Sequence, residues 1–300
     1  MSLLEVKNVC KSFGKKKILD NVSFTIEEGE ILGFIGPNGA GKTTTIKLIL
    51  GLQSSDSGEV YINGYDIKNS FEKAIKRVGA IVESPDLYMY LTGRKNLELV
   101  ANMYESISKE RIDEIVKMVG LSNRIDDKVS KYSLGMRQRL GIAAALVHSP
   151  NILVLDEPTN GLDPEGIKEL RDLLKRLAKK EKMGVLISSH NLAELESFVT
   201  DVCFIKNGKI IITSSIEDVK KSDESEYIIH LDRVDGIDAF LNDGDIILSS
   251  NDIKIYRNEK DIPSIVETLV KKKYKVYEVR RKVLSLEEAF LNKIGGNVID

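Results

Sequence analysis

Apolar and polar residues alternate in the first quarter of the chain. The alternation is clear in residues 4–7, 22–26 and 59–62, and the last of these segments leads into the turn dipeptide Asn63-Gly64. A period of two is typical of half-buried antiparallel strands. The sequence therefore predicts an antiparallel β region here.

The apolar spacing becomes helical between about residues 85 and 149. One predicted helix face carries Leu97, Val100, Ala101 and Tyr104, and residues 112, 115, 116 and 119 repeat the spacing. This period is typical of amphipathic helices that pack on a core. We therefore expect a helical subdomain over about residues 85–150.

Continuous apolar runs mark a third kind of segment. Residues 31–35, 152–155 and 184–188 are almost uninterrupted apolar stretches, as expected for strands buried on both faces. A helix is predicted at residues 164–180, and Asn207-Gly208 predicts a hairpin that joins 202–206 to 209–212. Buried strands that alternate with helices indicate an α/β fold.

Residues 216–300 have the pattern of a smaller α+β domain, separate from a first domain of residues 1–215. Strands are predicted at 226–231, 245–248 and 253–256, and an amphipathic helix at 261–273. Ser285-Leu286-Glu287-Glu288 has the sequence of a capping box and predicts a last helix, which Gly295-Gly296 would end.

Composition narrows the possible classes of protein. The chain has 300 residues, 42% of them hydrophobic and 30% charged, and its net charge of −2 gives no basic field for nucleic acid. No apolar run approaches the roughly 18 residues of a membrane span, and the N-terminal residues lack the pattern of a signal peptide. Cys10 and Cys203, the only cysteines, are expected to be buried thiols in a reducing cytosol.

The first chemical motif is Gly-Pro-Asn-Gly-Ala-Gly-Lys-Thr at residues 36–43, which fits the phosphate-binding pattern G-x-x-x-x-G-K-[ST]. It stands between a predicted strand and a predicted helix, so backbone N–H groups and a helix N-terminus can surround the phosphates of a nucleotide. Lys42 adds a mobile positive charge, and the Thr43 hydroxyl is a candidate Mg²⁺ ligand. The predicted nucleotide-binding residues are Gly36, Pro37, Asn38, Gly39, Ala40, Gly41, Lys42, Thr43 and Thr44.

A pair of carboxylates follows the buried run at 152–155. Burying Asp156 and Glu157 is costly unless a cation or a catalytic step requires them. Asp156 is predicted to reach the Mg²⁺ held by Thr43, and Glu157 to orient and polarise an attacking water. Acidic pairs at strand ends are also common without such a role, so these two residues alone leave both interpretations open.

Further motifs give the chain a specific resemblance. Tyr132-Ser133-Leu134-Gly135-Met136-Arg137-Gln138-Arg139 is similar to the signature motif of ABC ATPases, residues 160–164 to their D-loop, and Ser188-Ser189-His190 to their switch histidine. Phe13 stands where this family has an aromatic residue that stacks on adenine. With the phosphate loop and Asp156-Glu157, six motifs occur in the family's order within residues 1–215.

The resemblance implies a fold and a set of roles. The fold would be a P-loop NTPase (RecA-like) core with an antiparallel β subdomain and a helical insert. Ser133 and Gly135 would contact a nucleotide held by the opposite subunit, so that two subunits form a head-to-tail homo- or heterodimer with two composite sites. Asp163 would join the nucleotide site through the D-loop. Catalysis would depend on Lys42, Glu157 and the γ-phosphate contact of His190.

One position departs from the family's pattern. Glu83 stands where the family usually has a glutamine that contacts Mg²⁺ and water, and a carboxylate can still bind Mg²⁺ but has no N–H donors. Glu83 and the signature sequence together make the chain resemble ATPase subunits of bacitracin- and lantibiotic-resistance exporters. The resemblance therefore implies ATP-powered export of a peptide antibiotic or a similar amphiphile.

The same resemblance implies partners and a location. The ATPase would lie on the cytoplasmic face of the membrane, bound to separate transmembrane permease subunits through residues 83–91. Two alternatives remain: an importer ATPase subunit, which differs in partner rather than chemistry, and a soluble ABC ATPase that acts on nucleic acid or ribosomes. The lack of a basic field and of sustained heptads argues against the nucleic-acid alternative.

Overall fold

A computed structural model describes residues 2–105, 107–220, 225–242 and 244–282. The chain forms two compact units, Met1–Ile216 and Glu217–Asp300. No helix within these described ranges has both the length and the hydrophobicity that crossing a bilayer requires. The helix predicted to begin at Ser285 lies outside the described residues.

The strands of the first unit form two sheets. Their bounds are β1 Ser2–Phe13, β2 Lys16–Glu27, β3 Ile31–Ile35, β4 Ser57–Ile62, β5 Tyr65–Asp66, β6 Val78–Ile81, β7 Ile152–Leu155, β8 Gly184–Ser189, β9 Asp201–Lys206 and β10 Lys209–Ser215. One sheet is antiparallel, in the order β2-β1-β4-β5. The other has the order β10-β9-β3-β8-β7-β6 and is parallel except at β10.

Helices pack against these sheets and also form the predicted helical insert. Their bounds in the first unit are α1 Lys42–Ile49, α2 Phe71–Ile75, α3 Gly93–Ala101, α4 Lys109–Met118, α5 Leu134–Leu146, α6 Pro164–Glu181 and α7 Leu192–Leu195. The hydroxyls of Thr92 and Ser108 accept hydrogen bonds from backbone N–H groups of the first turns of α3 and α4, which fixes where these two helices begin.

The main hydrophobic core fixes the elements that flank the phosphate loop. Phe24 of β2 and Phe34 of β3 pack with ring centroids 5.2 Å apart. Ile46 of α1 and Leu186 of β8 are fully buried in the same cluster. The strand before the loop and the helix after it are therefore held in place by apolar packing rather than by the loop itself.

The second unit contains a small antiparallel sheet with a helix. Its strands are β11 Ser225–Leu231, β12 Ile246–Ile247, β13 Asp252–Arg257 and β14 Val276–Lys282, in the order β12-β13-β11-β14. Its helix α9 is Ile262–Lys271, and the short helix α8, Ile216–Lys220, begins at the last residue of the first unit. Tyr227, Ile255 and Leu269 belong to its buried core.

Most of the predicted elements are present, with different ends. The mainly parallel sheet and its flanking helices confirm the α/β class. The first two predicted strands extend well beyond residues 4–7 and 22–26. Strand β14 was not predicted, because its two valines, at 276 and 279, are three positions apart and give no period of two. Of the two cysteines, Cys203 is buried, which raises its pKa to about 12, but Cys10 is only half-buried.

Candidate functional site

Glycines make the loop between β3 and α1 possible. A Cβ atom on Gly36 would lie 2.2 Å from the backbone oxygen of Ile205, and one on Gly41 would lie 2.6 Å from a methyl group of Leu19. Gly41 also has φ 111°, in the region that favours glycine. Any side chain at either position would push the loop away from the core.

The loop delivers the N-terminus of α1 to the site. Gly41 occupies the N-cap position, and no side chain caps the helix. The first N–H groups of a helix have no acceptor inside the helix, so those of Lys42, Thr43 and Thr44 are free to bind an anion. Thr45 closes the first turn through its N–H, which donates to Gly41 O at 2.9 Å. The arrangement fits a phosphate group.

Lys42 is buried at the centre of the site. Its Nζ donates to the backbone oxygens of Gly36 and Pro37, at 2.6 and 3.3 Å, and lies 3.2 Å from Oε1 of Glu157. Only 6% of the residue is exposed. A buried ammonium group whose partners are two neutral carbonyls and one carboxylate is positioned to bind a further anion, such as a phosphate group.

Asp156 and Thr43 meet at the carboxyl end of the parallel sheet. The Thr43 hydroxyl donates to Asp156 Oδ2 at 2.9 Å, and the Ser188 hydroxyl donates to Oδ1 at 2.6 Å. Asp156 is 2% exposed and Ser188 is fully buried. The register of β7 and β8, in which Leu155 pairs with Ile187, places Ser188 beside Asp156. Sequence reasoning gave Ser188 no role of its own.

These oxygen groups fit a magnesium ion. Mg²⁺ prefers hard oxygen ligands and is usually bound by one or two protein groups together with phosphate oxygens and waters. The Thr43 hydroxyl and the Asp156 carboxylate form such a pair. Within the described part of the chain no group of three or more His, Cys, Asp or Glu residues is arranged as a metal site, so the nucleotide would have to supply the other ligands.

The carboxylate of Glu157 lies between Lys42 and His190. Its backbone has φ 49°, in the left-handed region, and its N–H donates to the Ser188 hydroxyl at 2.8 Å. One carboxylate oxygen is 3.2 Å from Lys42 Nζ, and the other is 2.8 Å from Nδ1 of His190. A non-glycine residue in this conformation is uncommon and is often found at functional sites.

A cleft of about 450 Å³ adjoins these groups. It is lined by Phe13, Lys16, Ile18, Asn38, Gly39, Gly41, Lys42, Thr43, Thr44, Glu157, Asn160 and His190. Phe13 is 50% exposed, and the ammonium of Lys11 lies 5.3 Å from its ring centroid. The structure therefore brings the predicted aromatic, loop and switch residues together with Asn160 of the D-loop segment, and adds two lining residues that the sequence did not indicate, Lys16 and Ile18.

The signature residues lie outside this cleft. Ser133 caps α5, and its hydroxyl accepts a hydrogen bond from the N–H of Met136 at 3.3 Å. Asp163 caps α6 in the same way, with Oδ1 2.9 Å from the N–H of Gly166. Neither these two residues nor Gly135 line the cleft of their own chain. Both helix starts are nevertheless formed and fixed within one subunit.

Glu83 is not brought to Thr43 and Asp156. Its Oε1 is 3.0 Å from Nζ of Lys47 on α1, and its side chain is 70% exposed. Glu83 does not line the cleft. Of the three predicted metal ligands, Thr43 and Asp156 are therefore in contact with each other, whereas Glu83 pairs with Lys47.

Comparison with known proteins shows relatives along almost the whole chain. The family model described as "ABC transporter" matches residues 19–160. An uncharacterized ABC transporter ATP-binding protein of Bacillus subtilis, YhcH, is 45% identical over 98% of this chain and 96% of its own. The bacitracin transport ATP-binding protein BcrA of Bacillus licheniformis is 36% identical over 99% of both. The lantibiotic transport ATP-binding protein SrtF of Streptococcus pyogenes is 41% identical over 74% of this chain and 95% of its own.

Solved structures share the fold of the first unit. An ATP-binding subunit of an ABC transporter has a TM-score of 0.65 and 32% identity, and the match covers 73% of this chain and 92% of that one. A dimeric ATP-binding cassette in a post-hydrolysis state, bound to ADP and phosphate, has a TM-score of 0.63 and 29% identity over 71% of this chain and 98% of that one. Both the family resemblance and the P-loop fold predicted from the sequence are confirmed.

Proposed function

The chain belongs to the family of ABC transporter ATP-binding subunits, and on that premise we propose that it hydrolyses MgATP in a head-to-tail dimer and drives export of a peptide antibiotic or similar amphiphile. Membership makes it an ATPase that works with permease subunits and forms dimers. The metal, the dimer geometry, the roles of single residues and the transported substrate are the parts that we propose.

The phosphate loop would bind the triphosphate of ATP. Its free N–H groups and the buried ammonium of Lys42 would neutralise the β- and γ-phosphates. Phe13 at the edge of the cleft would stack on the adenine ring. Thr43 and Asp156 would hold Mg²⁺, which would neutralise part of the charge of the triphosphate.

Glu157 would orient the attacking water and take up its proton. The observation that carries this role is its position, with one oxygen on Lys42 and the other on His190 at the edge of the cleft. When phosphate oxygens replace Glu157 as the partner of Lys42, the Oε1 atom of Glu157 becomes available to accept a hydrogen bond from water. His190 would then hold the carboxylate in place while facing the γ-phosphate.

A second subunit would complete each site. Ser133 and Gly135 begin α5 and do not line the cleft of their own chain, so their helix N-terminus is available to a nucleotide bound elsewhere. One chain carries both the phosphate loop and the signature, so two copies suffice for two sites. This supports a head-to-tail arrangement, in which each nucleotide lies between the loop of one subunit and the signature of the other.

The permease would contact the surface that follows Glu83. A groove of about 420 Å³ is lined there by Ser84, Pro85, Leu87, Val100, Met103, Tyr104 and His148, among others. Met103 in this groove is 81% exposed, and Tyr90, which lies within residues 83–91, is 68% exposed, which is unusual for large apolar side chains. A cytoplasmic segment of a transmembrane partner would cover them and would hold the ATPase at the cytoplasmic face of the membrane.

Export of a peptide antibiotic is supported by the relatives whose names state a bacitracin or lantibiotic transport role. The test is antibiotic susceptibility in the source organism after deletion of the gene and of its permease genes. We expect sensitivity to a cyclic or lanthionine-containing peptide to rise, and the wild-type gene but not Glu157→Gln to restore resistance. Unchanged susceptibility to such peptides would contradict their export. Loss of uptake of a nutrient instead would favour an importer.

A further inference from the structure

A second pocket, of about 440 Å³, lies at the amino ends of two strands of the mainly parallel sheet. Its lining includes Glu28, Asn63, Lys73, Lys76, Arg77 and Asn151. Arg77 directly precedes β6, and Asn151 directly precedes β7. Asp156 and Glu157 follow the opposite end of β7, and the pocket shares no lining residue with the nucleotide cleft. The pocket is therefore separate from the site described above.

Three cations in this pocket have no carboxylate partner. Among the residues that the structure describes, no Asp or Glu forms an ion pair with Lys73, Lys76 or Arg77, and the ammonium of Lys73 lies 5.8 Å from the ring centroid of Tyr65. Elsewhere in this unit Arg94 pairs with two aspartates. The chain has 46 acidic and 44 basic residues, so an overall excess of base does not explain the unpaired cluster.

The backbone that carries these cations is fixed. Lys73 and Lys76 are three positions apart at the end of α2, so their side chains leave the same face of the chain. Arg77 O accepts hydrogen bonds from the N–H groups of Asn151 and Ile152, at 3.0 and 3.3 Å, which tie it to the start of β7. The three side chains therefore start from fixed neighbouring positions, and a ligand has to order only their ends.

Two amide side chains in the lining have hydrogen-bonding groups without partners. Asn151 Nδ2 donates to Asn63 Oδ1 at 2.7 Å and so joins the start of β7 to the turn between β4 and β5. Asn63 Nδ2 and Asn151 Oδ1 are buried, and neither has a partner among the described residues. Buried polar groups without a partner are uncommon in folded proteins. A turn of the Asn63 side chain would give its N–H groups to an anion in the pocket.

We propose that this pocket is a second anion-binding site, which binds a phosphate monoester. The three cations and the single carboxylate, Glu28, give the described lining a net charge of +2. A phosphate monoester carries a charge of about −1.5 to −2 near pH 7 and has three strong acceptor oxygens, so it matches both the charge and the free donors of the pocket. Soluble metabolites and the headgroup of phosphatidic acid both carry this group.

The test for a soluble ligand is a calorimetric titration of the full chain with glycerol 3-phosphate. A non-hydrolysable ATP analogue with Mg²⁺ fills the nucleotide cleft, so that the phosphate loop does not bind the probe. We expect one saturable site, which Lys76→Gln and Arg77→Gln each weaken about 5- to 20-fold, because each removes a charge-assisted hydrogen bond. Lys168→Gln, at an exposed lysine of α6 outside the pocket, is the control for net charge and should cause no change.

Two further titrations distinguish this site from the phosphate loop and from a diffuse positive surface. Lys42→Ala without the analogue should bind glycerol 3-phosphate as tightly as the wild type does with the cleft filled. Binding to the wild type should weaken between pH 7.5 and pH 5, because the monoester loses its second charge with a pKa of about 6. Loss of binding in Lys42→Ala would assign the probe to the phosphate loop and overturn the proposal.

The lipid source is tested by sedimentation with phosphatidylcholine vesicles, with and without phosphatidic acid. Binding to the acidic vesicles that is lost in Lys76→Gln and Arg77→Gln but kept in Lys168→Gln would assign the pocket to the headgroup. The proposal is overturned if neither probe binds, if the two pocket variants bind as the wild type does, or if Lys168→Gln weakens binding equally. Circular dichroism of each variant checks that the fold is kept.

Discussion

The carboxylate of Glu157 joins His190 to Lys42: Oε2 lies 2.8 Å from Nδ1 of His190, and Oε1 lies 3.2 Å from Nζ of Lys42. The lysine is buried and the histidine side chain is 47% exposed, so Glu157 lies at the boundary between the phosphate loop and the open cleft. A carboxylate at this boundary can keep its contact with His190 while the oxygen that faces Lys42 turns to a water molecule.

Replacing Glu157 with glutamine should separate binding from turnover. The amide can still hydrogen-bond His190 but cannot act as a base, so steady-state phosphate release should fall about 10²- to 10⁴-fold while ATP affinity stays within a few-fold of wild type. The chain should accumulate as an ATP-bound dimer on gel filtration. Glu165→Gln, at an exposed carboxylate of α6 outside the cleft, should keep full activity. Wild-type turnover in Glu157→Gln would exclude Glu157 as the base.

Ser188→Ala should lower both stability and turnover. The buried hydroxyl donates to Asp156 and accepts from the N–H of Glu157, so its loss leaves an acceptor and a donor unsatisfied. We expect a loss of about 1–3 kcal/mol in the free energy of unfolding by urea titration, together with a roughly ten-fold fall in kcat. Ser189→Ala removes a hydroxyl that bonds only within the following turn and should have the smaller effect on kcat. Equal losses of kcat would show that Ser188 has no special role.

The phosphate loop and the two carboxylates could be predicted because each is a contiguous sequence whose chemistry is local. The loop's spacing alone requires glycines at Gly36 and Gly41, and the structure explains both by close contacts with β9 and β2. Asp156 and Glu157 follow directly from a buried strand. In each case neighbouring residues in the chain are also neighbours in the site.

The contacts of Ser188 and Lys47 with other elements could not be predicted, although the proximity of Thr43 and Asp156 could. Ser188 reaches Asp156 through the register of two parallel strands 32 residues apart, and Lys47 reaches Glu83 over 36 residues. Nothing in the local pattern sets such a register, because parallel strands pair through a crossover of variable length. The metal role predicted for Glu83 comes from its place in the family's pattern, and its contact with Lys47 is a feature that this pattern does not indicate.

Phe13→Ala should weaken nucleotide binding without slowing chemistry. Stacking of a base on an aromatic ring is worth about 1–3 kcal/mol, so the Kd for ATP should rise about 5- to 100-fold while kcat at saturating ATP is retained. Phe71→Ala on α2 is the control, because Phe71 is almost equally exposed, at 46% against 50%, and does not line the cleft. Unchanged ATP affinity in Phe13→Ala would show that the adenine binds elsewhere.

Glu30 should make the stability of the first unit depend on pH. The pKa of its carboxyl is raised from 4.5 to about 7, chiefly by burial; a hydrogen bond from the N–H of Glu27 opposes the shift, and the charges of Asp201 and Glu27 add to it. Because the unfolded chain ionises at lower pH than the folded one, this contribution to stability is complete below about pH 4.5. It is lost as the pH rises through about 7.

Glu30→Gln should remove that dependence. Relative to wild type, the variant should gain about 1–2 kcal/mol in the free energy of unfolding between pH 5 and pH 8, once solvent screening of a partly exposed group is allowed for. Urea titrations at the two pH values measure the difference. Glu28→Gln, at the exposed residue two positions earlier, should show no comparable change. A gain for Glu30→Gln that is the same at both pH values would attribute the effect to packing instead of ionisation.

The composite site can be tested with a substitution that the monomer tolerates. A Cβ on Gly135 would lie no closer than 3.9 Å to Leu162 or Gly166, and aspartate suits the first turn of a helix, so Gly135→Asp should fold normally. Its carboxylate would repel the γ-phosphate of a nucleotide bound to a partner subunit. In a Glu157→Gln background, we therefore expect Gly135→Asp chains to bind ATP as monomers and to trap none in a dimer.

Mixing then shows which subunit supplies which half. Lys42→Ala chains, also in the Glu157→Gln background, lack a working phosphate loop but keep the signature. A mixed dimer of the two variants has one site with both halves intact and one with neither, because the loop and the signature of each site come from different chains. The mixture should therefore trap about one ATP per mixed dimer on gel filtration, although each variant alone traps none. If Gly135→Asp alone trapped ATP as well as its parent, or if mixing restored nothing while both variants remained folded by circular dichroism, the head-to-tail arrangement would be excluded.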